Sequence, residues 1–127
     1  NEGLRYLKRL RRLRILDLAS TKLSEADVDH LSDLHLTRLS VNRTRFSDRS
    51  LASLRRMHSL EYLDLTRTKV SDQGLDILRG LPNLREVRLN RSLVTEAGYK
   101  ALQRDLPNCK IHWELLQRPS GFLKATS

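Results

Sequence analysis

Cysteine is nearly absent: the one thiol, Cys109, excludes an internal disulfide framework. Three prolines and five glycines are too few for a disordered or low-complexity chain, given 39% hydrophobic and 31% charged residues. Aromatic residues make up only 5%, so the core must be built mainly of leucine. No apolar run approaches the roughly 18 residues of a membrane-spanning helix. No stretch reads as a signal peptide. Glycine-rich phosphate loops are missing, and no Ser, His and Asp set falls at a known catalytic spacing. His30, His35, His58 and His112 read as helix or turn residues without metal-ligand spacing. Neither a metal, a cofactor nor an enzymatic activity is therefore expected.

What the chain has in excess is positive charge. Its 127 residues carry a net +9, with a pI near 10.4, which makes anionic partners or surfaces relevant. The excess is uneven: the opening NEGLRYLKRLRRLR holds six Arg or Lys against one Glu. Its leucines keep a three-residue step, so its basic residues read as the outside of a packed segment rather than a targeting signal. The length suits one domain with a sizeable core.

The chain also repeats itself. LDLASTKLSEADV from Leu16, LSVNRTRFSDRSL from Leu39, LDLTRTKVSDQGL from Leu63 and VRLNRSLVTEAGY from Val87 are in step. Leu13, Leu36, Leu60, Leu84 and Cys109 are separated by 23, 24, 24 and 25 residues, a period that marks a solenoid. Each unit begins Leu-x-x-Leu-x-Leu, as at Leu60, Leu63 and Leu65. A hydroxyl residue follows (Thr21, Thr44, Thr68 or Ser92), and two positions on an apolar one (Leu23, Phe46, Val70 or Val94). Ser24, Ser47, Ser71 and Thr95 then precede Glu or Asp, giving a helix N-cap and a first-turn negative charge. Apolar residues three apart, such as Leu75, Leu78 and Leu81, predict a short helix or 3₁₀ segment with one side packed inward.

This grammar resembles the leucine-rich repeat, L-x-x-L-x-L-x-x-N/C-x-L, with Thr or Ser at the usual Asn position, and it is similar to bacterial repeats with an SDxGL helix start. The resemblance implies an α/β solenoid, a horseshoe segment with a parallel concave sheet and helices or 3₁₀ turns on the convex side. Residues 1–113 should form the repeat domain: a half repeat over 1–12, four repeats over 13–108 and a closing edge strand over 109–113. Residues 114–127 read as a C-terminal cap or linker.

The resemblance also implies a protein-interaction module that binds through its concave strand face. Between the committed leucines, the residues free to vary include Ile15, Arg38, Arg43, Tyr62, Asp64, Arg67, Arg88 and Arg91, the expected partner-binding set. Stacking at about 4.8 Å per strand would bring Arg43, Arg67 and Arg91 into one basic ladder, beside a second column of Lys22, Arg45 and Lys69. The partner class is a protein, acidic in character; the alternative is a polyanion such as nucleic acid held by the arginine ladder and the basic N-terminus. Asp17 and Asp64 share a column roughly 9.6 Å apart, a separation that glycosidase carboxylates can have, but nothing builds a sugar-sized pocket between them.

Overall fold

The computed structural model describes residues 12–114. The half repeat expected over 1–12 lies, except for Arg12, outside these residues, as does the tail from residue 115. Five three-residue strands form one parallel sheet in sequence order: β1 (Ile15–Asp17), β2 (Arg38–Ser40), β3 (Tyr62–Asp64), β4 (Glu86–Arg88) and β5 (Lys110–His112). Pairing follows the repeat, with Leu16, Leu39, Leu63, Val87 and Ile111 in register. Between strands the chain forms α1 (Glu25–Leu31), α2 (Asp48–Ala52), a 3₁₀ turn (Asp72–Gly74) continuing into α3 (Leu75–Arg79), and α4 (Glu96–Asp105). None of these helices is long and apolar enough to cross a membrane.

The core is the stack of repeated apolar positions. Leu39, Leu63 and Val87 are buried from the strands, Leu23, Phe46, Val70 and Val94 from the turns, and Leu31, Leu54 and Leu78 from the helical side. Each repeat thus contributes one slice of a continuous apolar column, which it could not shield alone. At the last slice Trp113 stacks on Tyr99 with ring centroids 5.1 Å apart and donates its indole N–H to the Val94 carbonyl at 3.0 Å.

The hydroxyl column closes the turn after each strand. Thr21, Thr44, Thr68 and Ser92 each donate to the carbonyl three residues back (Leu18, Val41, Leu65 and Leu89) at 2.7 Å. Thr68 is buried, so water cannot replace its hydroxyl. Thr68→Val, which keeps the shape and removes the donor, should cost about 1–3 kcal/mol. A urea midpoint equal to the parent's would show that the hydroxyl has no such role.

One step before each hydroxyl the backbone turns left-handed. Ser20, Arg43, Arg67 and Arg91 have φ of 61°, 57°, 56° and 59°. This conformation costs a non-glycine residue roughly 1–2 kcal/mol. It is held by the lateral ladder, in which the N–H groups of Ser20, Arg43 and Arg67 donate to the carbonyls of Asn42, Thr66 and Asn90 at 2.9 Å.

On the convex side the helix caps of neighbouring repeats lock together. Asp48 accepts from the Ser71 N–H at 2.7 Å and the Ser71 hydroxyl at 2.5 Å. Asp72 does the same for Thr95, at 2.9 and 2.6 Å. Glycine makes this approach possible: a Cβ on Gly74 would lie 2.4 Å from Asp48 Oδ1, and one on Gly98 2.1 Å from Asp72 Oδ1. The acidic residue after the cap is therefore more than a partner for the helix dipole, since it ties its own repeat to the next.

Candidate functional site

Strand alternation sends every second side chain to the concave face. The first row there is Ile15, Arg38, Tyr62, Glu86 and Lys110, and the second is Asp17, Ser40, Asp64, Arg88 and His112. These rows are cross-linked diagonally. The Arg38 guanidinium lies 4.5 Å from the centroid of the Tyr62 ring, a distance at which the cation meets the negative face of the aromatic system. Arg88 Nε donates to the Tyr62 hydroxyl at 3.1 Å, and its guanidinium also lies 3.9 Å from Glu86. Glu86 in turn contacts His112 Nε2 at 2.7 Å. Arg38, Tyr62, Arg88, Glu86 and His112 thus form one polar chain over four strands.

Asp64 lies beneath this platform, only 9% exposed. Its carboxylate accepts from the Asn42 amide at 2.9 Å and from the Thr66 N–H at 3.0 Å. Burial pushes its pKa up, but the hydrogen bonds from Thr66 and Asn42, with the positive charge of Arg88, outweigh that and hold it below the ordinary carboxylate value. The charged form is thus the one the site is built around. Asn42 also donates to Ser40, so it joins β2 to β3 across the floor of the face.

Above the strand ends runs an open groove of about 700 Å³ bordered by Arg43, Arg67, Tyr62, Asp64, Arg88 and Asn90, among others. Beyond it, at the loop edge, stand the exposed Arg43, Arg67 and Arg91. Arg91 lies 3.8 Å from Glu114.

The Leucine Rich repeat family profile matches residues 56–76, from the end of the second repeat into the third. The 23- to 25-residue period and the register of the five strands carry the same pattern across the described residues. The fold is that of a leucine-rich-repeat solenoid. Among solved structures, leiomodin-1 actin-binding site 2 superposes with a TM-score of 0.72 at 12% identity, covering 98% of this chain and 84% of that one. No curated protein matches the sequence.

Within this leucine-rich-repeat frame, the residues singled out from sequence fall into three groups. Arg38, Tyr62 and Arg88 come together on the platform, with Asp64 buried under them. Arg43, Arg67 and Arg91 stand at the loop edge. Ile15 is 63% exposed on β1, at the margin of the sheet. Tyr62 is half-buried between two arginines instead of standing free. His112 corrects the reading of the four histidines as helix or turn residues, since it lies on β5 and pairs with Glu86. The signal for it was its place two residues after Lys110, in the row of Arg88.

Proposed function

We propose that this leucine-rich-repeat segment is a protein-binding module whose contact surface is the concave strand face, with Tyr62 at its centre. The observation that carries this reading is the clamp of Arg38 and Arg88 around Tyr62. Tyrosine and arginine dominate interface hot spots because they bring large area and directional hydrogen bonds at modest entropic cost. Here both arginines already hold the ring, so less side-chain freedom remains to be lost on binding. Ile15 adds an apolar contact at the β1 margin, and Arg43, Arg67 and Arg91 add charge at the rim.

The face is small. Five strands at about 4.8 Å span roughly 20 Å, whereas a stable complex usually buries about 800 Å² per partner. The described repeats alone should therefore bind weakly, with the loop edge extending the contact. A second reading, binding of a polyanion such as nucleic acid, draws on the basic rim; it predicts affinity that falls steeply with salt.

Because leiomodin-1 site 2 is named for binding actin, actin is the first protein to test against the immobilised chain. For whichever protein binds, Tyr62→Ala should weaken the complex at least about tenfold, mainly through faster dissociation, with the circular dichroism spectrum unchanged. Equal binding by parent and variant would refute a Tyr62-centred concave site.

A further inference from the structure

We infer that the loop edge of the first three repeats is a binding site for oxyanions carried on a polypeptide, that is, for a segment rich in carboxylate or phosphorylated side chains. The inference rests on the protein-binding reading above and names the partner's chemistry. Lys22, Arg43, Arg45 and Arg67 line an open cleft of about 510 Å³, together with the hydroxyl residues Ser20, Thr21 and Thr44 and no acidic residue. The hydroxyls of Thr21 and Thr44 are spent on backbone carbonyls, which leaves the four cations and the Ser20 hydroxyl as the side-chain groups that can receive a ligand.

These cations are unneutralised. None of the four makes an ion pair among the described residues. Some cations elsewhere do: Arg79 is bonded to Asp76 and Asp105, Lys100 to Glu96, and Arg91, the next member of the arginine column, faces Glu114. Within the arginine column the unpaired charge is thus that of Arg43 and Arg67. Repulsion between unpaired neighbours is unfavourable, and a bound anion would remove it.

Backbone conformation points the same way. Arg43 and Arg67 are left-handed, at φ 57° and 56°, where glycine would be relaxed. Ser20 and Arg91 share this turn geometry, so it belongs to the repeat, and it fixes where the two arginine side chains leave the backbone. Both arginines also border the concave groove, so a segment crossing the platform and turning over the edge would meet them on either side. The guanidinium fork fits carboxylate and phosphate oxygens in pairs.

Nucleic acid fits this cleft less well. Three repeats carry equivalent positions over only about 10 Å, short for a duplex interface of roughly six to ten phosphate contacts. No aromatic residue lines the cleft to stack the bases of a single strand.

The test is fluorescence anisotropy with the full chain and four labelled probes: an all-glutamate peptide, a serine-glycine peptide of equal length, its phosphoserine form, and a short DNA duplex. One or both acidic peptides should bind and the plain serine peptide should not; which acidic peptide binds tighter identifies the oxyanion source. The double variant Arg43→Gly/Arg67→Gly, which relaxes both backbones, should melt no lower than the parent yet bind about tenfold more weakly. Arg43→Lys/Arg67→Lys, which keeps the charge but loses the paired fork, should bind more weakly than the parent and more tightly than the glycine variant, and Arg104→Ala on α4 should leave the affinity unchanged. Tyr62 is intact in all these variants, so the cleft and the platform can fail separately. The inference is overturned if the acidic peptides bind no better than the serine peptide, if the duplex binds tighter than both at the same salt, or if the glycine double variant binds like the parent.

Discussion

Phe46→Ala should lower the unfolding free energy by about 3–5 kcal/mol, the range for removing a buried aromatic ring from a packed core. Phe46 occupies the turn column that holds Leu23, Val70 and Val94 in the other repeats, and it is fully buried there. Its backbone is fixed on both sides: the N–H donates to Thr44 Oγ1 at 3.2 Å and the carbonyl accepts from Lys69 at 2.8 Å. The turn therefore cannot collapse freely into the space the ring leaves. Against a typical total of roughly 5–15 kcal/mol for a folded domain, this loss is large. In a solenoid it should also weaken the coupling between the repeats on either side. Urea unfolding would report it as a lower midpoint; a midpoint matching the parent's would mean that the ring does not hold these repeats together.

Asp64→Asn should cost about 1.5–3 kcal/mol near neutral pH, the value of hydrogen bonds to a charged group. The amide fills the same space but carries one acceptor oxygen where the carboxylate uses two, toward Asn42 and toward the Thr66 N–H. The pH dependence follows from the direction of the shift. Because the folded-state pKa of Asp64 is lowered, its contribution is fully present above the unfolded value of about 3.9 and is lost as pH falls through the lower folded value. The stability gap between parent and variant should accordingly narrow on acidification through that window. A gap that is constant with pH would show that the charge of Asp64 is not what these hydrogen bonds require.

Most of the architecture was legible because each repeat presents the same environment to the same position. Leu39, Leu63 and Val87 announce the strands through spacing alone, and Ser47, Ser71 and Thr95 announce the helix starts through their cap chemistry. The left-handed turn was not legible: glycine or asparagine usually marks it, and here three of its four positions hold arginine. The lock between Asp48 and Ser71 was half visible, since the motif showed the acid and the glycine but not that they meet across repeats. The platform was least legible. Its parts were among the free residues, but the contacts of Arg38 and Arg88 with Tyr62 run diagonally between rows. Side-chain conformation decides such contacts, and the repeat period does not encode it. The same holds for Asp64, which shares its row with the exposed Asp17 but is buried and bonded by Asn42 and Thr66.

Arginine-specific chemical footprinting of the chain with and without its bound protein partner tests the concave site most directly, because arginines mark every side of the molecule. Binding through the concave face and loop edge predicts that Arg38, Arg43, Arg67 and Arg88 lose reactivity in the complex. Arg55 and Arg56, which follow α2, and Arg104 on α4 should keep theirs. Protection of Arg55, Arg56 and Arg104, with Arg38 and Arg88 as reactive as in the free chain, would contradict the account and move the interface to the convex side.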